Sequence, residues 1–106
     1  MGVIIYSQPN CQTCRMTKER LTANGITFEE GSIDKHRELF RSMGFTSAPV
    51  VLVEQDTGPA LSWAGYRHDF ISALIAGKPE GFEINGYTRM KVMIKLAEQD
   101  DDQSLN

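Results

Sequence analysis

The sequence predicts an α/β domain in which a mixed sheet is packed between helices. Two observations support this prediction: apolar runs typical of strands alternate with helical segments up to residue 77, and each helical segment ends at a glycine. The 106 residues are 41% hydrophobic and 24% charged, which is typical of one globular domain. A net charge of -3 and the absence of a long apolar run argue against nucleic-acid and membrane partners.

The first predicted elements are a strand and a helix joined by a short loop. Residues 3–6 are apolar and rich in β-branched side chains, as in a buried strand. Residues 12–24 contain no helix breaker, and Gly25 follows where a left-handed cap would close the helix. Because Cys14 falls on the apolar face of this helix, we expect it to point inward, with Cys11 exposed at the helix start.

A second strand and helix are predicted in the middle of the chain. Residues 26–30 alternate between apolar and polar side chains, as in a half-exposed strand. Asp34 is the expected N-cap of a helix that turns Leu39 and Phe40 inward and ends at Gly44. This alternation of strands and helices predicts parallel pairing with a right-handed crossover.

A hairpin and a third helix complete the predicted domain. Residues 50–53 are all apolar, and a turn-forming stretch at 55–59 separates them from residues 60–64, which predicts two antiparallel strands. A helix then follows Gly65 and runs to Gly77. The expected order is β-α-β-α-β-β-α, with a four-stranded mixed sheet.

The C-terminal part of the chain is expected to be an extension, at 80–106, of a domain at 1–79. A helix is predicted at about 86–98, followed by a solvated acidic tail. We expect this helix to cover a face or edge of the sheet, and a partner-binding amphipathic helix is the alternative. Its predicted apolar stripe consists of Tyr87, Met90, Met93, Ile94 and Ala97.

The chemistry is indicated by the only two cysteines, Cys11 and Cys14. A bridge between them closes almost no loop and stabilises little, so the pair indicates thiol redox chemistry in a reducing, cytoplasmic setting. Free N–H groups and the helix dipole stabilise a thiolate at a helix start. Cys11 is therefore the predicted nucleophile and Cys14 the resolving thiol, with Arg15 and Lys18 as thiolate-stabilising cations.

The cysteines have two alternative roles. Both cysteines can be structural, although the loop position of Cys11 argues against its burial. A zinc site would need His36 and His68 as further ligands, and their spacing matches no zinc-finger pattern. His36 is otherwise expected to be a polar surface residue of the second helix. No metal or other cofactor is predicted.

Pro49 is the second informative position. A proline is tolerated as the first residue of a strand, because the N–H it lacks is not needed there. If the Ala48–Pro49 bond is cis, the Ala48 carbonyl side turns towards the cysteines, where the backbone can pair with a docked peptide or thiol substrate. An ordinary trans proline is the alternative.

Three motifs together resemble the glutaredoxin branch of the thioredoxin superfamily, and the NrdH-redoxins most of all. They are Cys11-Gln12-Thr13-Cys14, Ala48-Pro49-Val50 and Trp63-Ala64-Gly65-Tyr66-Arg67. The third motif resembles the W-S-G-F-R-P signature of NrdH-redoxins, with His68 in place of the proline. The resemblance implies a thioredoxin/glutaredoxin-like three-layer α/β/α sandwich with a cis-proline at position 49.

The same resemblance implies a monomeric dithiol electron carrier that is reduced by thioredoxin reductase and donates electrons to ribonucleotide reductase or another disulfide-bearing protein. Gln8 stands where glutathione-using glutaredoxins commonly have a basic residue, which implies weak or no glutathione binding. The alternatives are a glutathione-dependent glutaredoxin and a non-catalytic redox-switched regulatory or adaptor protein. Trp63 is either part of the docking surface or a core aromatic. The implied substrate- and partner-binding residues are Gln8, Gln12, Thr13, Ala48, Pro49, Trp63, Gly65, Tyr66 and Arg67.

Overall fold

A mixed sheet forms the centre of the structure, a computed structural model that describes the backbone of residues 1–104 and the side chains of residues 1–98. Its strands are β1 (Gly2–Ser7), β2 (Glu29–Ser32), β3 (Val50–Glu54), β4 (Leu61–Ala64) and β5 (Phe82–Glu83). The helices are α1 (Gln12–Ala23), α2 (Arg37–Ser42), α3 (His68–Ile75) and α4 (Tyr87–Ser104), and a 3-10 turn (Asp34–His36) leads into α2.

The strand order across the sheet is β2-β1-β3-β4-β5. Strand β1 is parallel to β2 and antiparallel to β3, and both remaining pairs are antiparallel. This arrangement confirms the predicted α/β fold, in which a crossover helix joins the parallel pair and a hairpin follows. Within the described residues, no helix is long and apolar enough to cross a membrane.

One face of the sheet packs against α1 and α3. Val51 and Val53 of β3 point to this face and share one buried cluster with Leu21 of α1 and Leu74 of α3. The two helices are also joined by Arg20, whose guanidinium donates hydrogen bonds to His68 Nδ1 at 3.0 Å and Ser72 Oγ at 2.7 Å. The buried residues of this first core are Val3, Ile5, Leu21, Val51, Val53, Leu61, Trp63, Ile71 and Leu74.

The opposite face packs against α2 and α4. The alternate residues of β3, Val50 and Leu52, point here, as expected for a strand buried on both sides. Phe40 of α2 and Met90 and Ile94 of α4 cover them. The C-terminal helix therefore covers a sheet face, as the sequence indicated. The buried residues of this second core are Tyr6, Ile33, Phe40, Val50, Leu52, Ile84, Met90 and Ile94.

The sheet differs from the prediction in two places. Strand β2 is Glu29–Ser32 rather than 26–30, because Ile26 and Phe28 lie before the strand and pack against the first core. A fifth strand, absent from the prediction, places Phe82 opposite Ser62 and Glu83 opposite Leu61. Both of its side chains are exposed, so no hydrophobic alternation marked it in the sequence.

The helices also differ from the prediction at their ends. Asp34 is not an N-cap, because it lies inside the 3-10 turn and forms an ion pair with Arg37. Helix α4 continues to Ser104, beyond its predicted end at 98; the side chains of the predicted acidic tail lie outside the described residues. Met93 is 48% exposed and faces away from the core that buries Met90 and Ile94, so it does not belong to the apolar stripe.

His36 is buried, which corrects its expected surface position. Its ring lies against Tyr6 and Phe40, with centroid separations of 5.6 and 5.7 Å. Its Nε2 is 3.4 Å from a carboxylate oxygen of Glu98 on α4. The histidine therefore joins the turn before α2 to the C-terminal helix, through a contact between residues far apart in sequence.

Candidate active site

The two cysteines lie at the junction of β1 and α1 and are joined as a disulfide, with their Cα atoms 5.3 Å apart. Cys11 is the N-cap of α1 and has an extended backbone, with φ -108° and ψ 103°. Its Sγ accepts a hydrogen bond from the Cys14 N–H at 3.1 Å. A helix start leaves such N–H groups without backbone partners, so the Cys11 sulfur occupies a position that favours negative charge.

The two sulfur-bearing residues differ in their access to solvent. Cys14 is only 2% exposed, on the buried face of α1, whereas Cys11 is half-buried. Gln8, Asn10 and Gln12 line an open cleft beside the pair. An incoming sulfur can therefore approach Cys11 more readily than Cys14, as the helical periodicity indicated.

The predicted thiolate-stabilising cations line the same cleft, and each is close to a carboxylate. The Arg15 Nε is 3.8 Å from Glu19 Oε1, and the Lys18 Nζ is 2.6 Å from Glu30 Oε1. These carboxylates offset part of the positive charge near Cys11. The direct polar contacts of the Cys11 sulfur are instead the Cys14 N–H and the Thr13 hydroxyl.

Thr13 connects the cysteine motif to the proline motif. Its hydroxyl donates a hydrogen bond to the Ala48 carbonyl at 2.7 Å and lies 3.4 Å from Cys11 Sγ. The Ala48–Pro49 peptide bond is cis. The Pro49 carbonyl in turn accepts a hydrogen bond from the Gly65 N–H at 2.8 Å. Three motifs that are far apart in sequence thus meet through consecutive hydrogen bonds.

Gly65 occupies a position that requires glycine. Its φ is +83°, a conformation that side-chain-bearing residues rarely adopt. A Cβ added there would lie 3.3 Å from the Ser47 Cβ, in the loop before Pro49. The close approach of these two loops therefore depends on the missing side chain.

Trp63 does not belong to the docking surface, which corrects that part of the prediction. Its side chain is fully buried in the first core and lies 5.5 Å from the Phe70 ring, measured between centroids. The β4 alternation that directs Leu61 inward also directs Trp63 inward. Its role as a core aromatic, the alternative in the sequence, is the one the structure supports.

The two residues after Gly65 have different environments. Tyr66 is half-buried and packs against the first core. The Arg67 guanidinium lies over the Phe70 ring, 4.1 Å from its centroid, and donates hydrogen bonds to Asp69 at 3.1 and 2.8 Å. These hydrogen bonds hold the pKa of Asp69 below its usual value. The Asp69 carboxylate, the first after Gly65, is therefore already paired with Arg67.

The two histidines make contacts unrelated to the cysteines. His36 contacts Tyr6, Phe40 and Glu98, and His68 accepts a hydrogen bond from Arg20. Across the part of the chain with described side chains, no three or more His, Cys, Asp or Glu residues are grouped so as to hold a metal.

Two polar contacts of the site were not predicted from the sequence. Thr17 is fully buried below Cys14, and its hydroxyl donates a hydrogen bond to the Thr13 carbonyl at 2.8 Å. The sequence placed Thr17 on the apolar face of α1, and a buried threonine there needs a hydrogen-bond acceptor nearby. This position could have indicated the contact. The bond from Thr13 to Ala48 had no signal, because it depends on how two distant loops meet.

A dithiol at a helix start beside a proline loop, on a mixed sheet covered by helices, defines the class of thiol-disulfide oxidoreductases with a thioredoxin-like fold. Comparison with known proteins identifies the family within this class. A sequence model of the glutaredoxin family matches residues 3–57. The chain belongs to the glutaredoxin family and is a glutaredoxin-like dithiol-disulfide oxidoreductase of the NrdH type.

Three similar proteins illustrate this membership. The glutaredoxin-like protein NrdH of Escherichia coli (strain K12) is 34% identical over 77 residues, which cover 70% of this chain and 89% of that protein. NrdH of Lactococcus lactis subsp. lactis (strain IL1403) is 33% identical over 75 residues, covering 68% and 97%. The solved structure of NrdH-redoxin from Escherichia coli superimposes with a TM-score of 0.60 at 35% identity, covering 70% of this chain and 95% of that one.

Proposed function

We propose that this protein is a small dithiol electron carrier that is reduced by thioredoxin reductase and donates electrons to ribonucleotide reductase or another disulfide-bearing protein. The observation that carries the proposal is the unequal exposure of the two cysteines, since Cys11 is half-buried and Cys14 is only 2% exposed. The similar NrdH-redoxin of known structure is described as having a thioredoxin-like activity profile, which supports the choice of reductant.

The forward reaction moves two electrons to the target disulfide. The Cys11 thiolate attacks one target sulfur, the target S–S bond breaks, and the second target sulfur leaves as a thiolate. Cys14 then loses its proton and attacks Cys11 Sγ, which releases the first target sulfur. The target gains two thiols, and the protein is left with the Cys11–Cys14 disulfide seen in the structure.

The surroundings of the cysteines also bear on the reductant. Gln8 places no charge beside the cleft, and the Asp69 carboxylate is occupied by Arg67. Tight glutathione binding needs partners for two carboxylates and an ammonium group, and these two positions offer none. We therefore infer that the Cys11–Cys14 disulfide is reduced by the dithiol of thioredoxin reductase at the expense of NADPH, in the cytoplasm.

A glutathione-dependent activity is the second candidate, and one observation favours it. A cleft beside the proline loop is lined by Gln8, Arg37, Arg41 and residues 46–48. Two arginines in this cleft offer positive charge to the carboxylates of a small peptide, although Arg37 is already paired with Asp34. The reductant therefore has to be tested directly.

The test compares two reducing systems with the same disulfide substrate, insulin. One contains NADPH and thioredoxin reductase, and the other contains NADPH, glutathione and glutathione reductase. We expect turnover in the first system and little in the second. Turnover only with glutathione would reject the proposed reductant, and turnover that persists in Cys11→Ser would reject the proposed nucleophile.

A trapping experiment tests the order of attack and the nature of the target. Replacing Cys14 by Ser removes the resolving thiol, so we expect the target to stay joined to Cys11 as a mixed disulfide with purified ribonucleotide reductase. The matched variant Cys11→Ser is expected to trap nothing. Equal trapping on both cysteines would contradict the assignment. Binding that requires the oxidised protein, without turnover, would instead support the redox-switched adaptor.

A further inference from the structure

The Thr13 hydroxyl lies between two groups of the site that act at different stages of the reaction. Its oxygen is 2.7 Å from the Ala48 carbonyl oxygen and 3.4 Å from Cys11 Sγ. A hydroxyl has one hydrogen and can donate it to only one of these acceptors at a time. In the disulfide, Cys11 Sγ carries no charge and is a weak acceptor, so the hydrogen points to the Ala48 carbonyl.

Reduction changes the relative strength of these acceptors. A Cys11 thiolate carries a full negative charge, and hydrogen bonds to charged acceptors are about twice as strong as neutral ones. The sulfur is already within hydrogen-bonding distance, so rotation of the O–H bond redirects the hydrogen without backbone movement. The Ala48 carbonyl then loses its donor, and Ala48 lines the cleft beside the proline loop.

The position of Thr13 is restricted, so its hydroxyl stays near both acceptors. The residue lies in the first turn of α1, and its backbone carbonyl accepts a hydrogen bond from the fully buried Thr17. Branching at Cβ further limits the rotamers of the side chain.

We propose that Thr13 is a positioning residue whose hydroxyl donates to the Ala48 carbonyl in the oxidised protein and to the Cys11 thiolate in the reduced protein. In the reduced state it stabilises the nucleophile and frees the Ala48 carbonyl to accept a backbone N–H from a docked peptide. This inference rests on the proposed role of Cys11 as nucleophile. It assigns to Thr13 the link between the redox state of the Cys11 sulfur and the ability of the Ala48 carbonyl to accept a hydrogen bond from a substrate.

The first test measures ionisation of Cys11 in the Cys14→Ser background, from thiolate ultraviolet absorbance against pH. Loss of a hydrogen bond to a charged group predicts that Thr13→Val raises the pKa of the Cys11 thiol by about one unit. Thr13→Ser keeps the hydroxyl and should stay close to the parent. The matched control Thr22→Val makes the same change at an exposed site near the other end of α1 and should have no effect.

The second test follows the Ala48 carbonyl carbon by NMR in the otherwise unaltered chain. Its chemical shift should change on reduction in the parent and in Thr13→Ser, and this change should be largely absent in Thr13→Val. Thr13→Ala provides a second hydroxyl-free variant if valine disturbs the fold.

Three outcomes would overturn the proposal. They are an unchanged Cys11 ionisation in both hydroxyl-free variants, a serine variant that behaves like valine, or a carbonyl response that is independent of the hydroxyl. Neither measurement needs a reductase or a protein target. A wrong assignment of the reductant would therefore appear in the insulin assay and leave these results unaffected.

Discussion

The sulfur of Cys11 takes the place that a serine, threonine or aspartate oxygen takes at many helix starts. Its contact with the Cys14 N–H serves the local structure and the proposed chemistry together, because the group that caps the helix is also the proposed nucleophile. The sequence predicted that Cys11 stands at the helix start, facing free N–H groups, and the structure shows that the Cys14 N–H is the one that donates to it.

Gly31 provides a prediction at the scale of one residue. It pairs with Tyr6 across β1 and β2, and a Cβ added to it would lie 2.5 Å from the Tyr6 Cε1. The ring cannot move aside at low cost, because it is buried against Phe40 at a centroid distance of 5.0 Å. We expect Gly31→Ala to lower the free energy of unfolding by about 1–3 kcal/mol.

Urea denaturation measures this effect, and Gly2→Ala is a matched control. The atoms nearest to a Cβ at Gly2 are 3.5 Å away, which is an ordinary contact. Its free energy of unfolding should change by no more than about 0.5 kcal/mol. Equal effects of the two substitutions would show that packing under Tyr6 is not the cause.

At the scale of elements, α4 is part of the domain's core rather than a covering added to a finished fold. Met90 and Ile94 complete the second core, and the Lys91 Nζ donates a hydrogen bond to Glu54 of β3 at 2.8 Å. The boundary expected near residue 79 separates segments that share this core. We propose that residues 80–106 contribute to stability and leave the cysteine chemistry to the preceding part of the chain.

Two methionines on α4 test whether the extension contributes to stability and not to the cysteine chemistry. Met90 is 5% exposed and Met93 is 48% exposed, so the same substitution on one helix removes buried contacts in only one case. Met90→Ala should lower the free energy of unfolding by about 2–5 kcal/mol and Met93→Ala by about 0.5 kcal/mol or less. Both variants should retain insulin reduction at temperatures where they are folded. A loss of turnover in folded Met90→Ala would assign α4 a part in the reaction.

At the scale of the molecule, a cavity between the sheet and α4 shares no lining residue with the cleft beside the cysteines. This cavity of about 330 Å³ is lined by both Tyr6 and Tyr87, together with Glu29, Glu54 and Glu98. Burial, reinforced by the nearby Glu98 carboxylate, raises the pKa of Tyr6 to about 12. Burial also raises the pKa of Tyr87 above that of an ordinary tyrosine. The fold thus keeps both phenols neutral over most of the alkaline range.

These shifts predict a loss of stability at high pH. The unfolded chain releases the Tyr6 proton near pH 10, whereas the folded chain holds it to about pH 12. The contribution is therefore complete below pH 10 and is lost as the pH rises through 12. The maximum loss from Tyr6 is about 3 kcal/mol. Tyr6→Phe should reduce the alkaline slope of the free energy of unfolding, measured by urea denaturation, and an unchanged slope would contradict the assignment.

Much of the candidate site was predictable because it depends on local geometry. A helix of 3.6 residues per turn places Cys14 beneath Cys11, and the loop after β1 places both at the helix start. The continuous apolar run at 50–53 likewise predicted a strand, and the structure buries its alternate side chains in the two cores. The bond between Thr13 and Ala48 was not predictable, because nothing in either segment specifies its distance from the other.

Sequence alone was enough to predict the order of the main strands and helices, the redox chemistry of Cys11 and Cys14 and the family of the chain. These follow from spacing, periodicity and motifs, which act over a few residues. Three features became known from the folded chain: the burial of His36 and Trp63, the fifth strand formed by Phe82 and Glu83, and the hydrogen bond from the Thr13 hydroxyl to Ala48. The physical reason is that periodicity shows which side chains share a face, whereas burial and hydrogen bonding depend on which distant segment packs against that face.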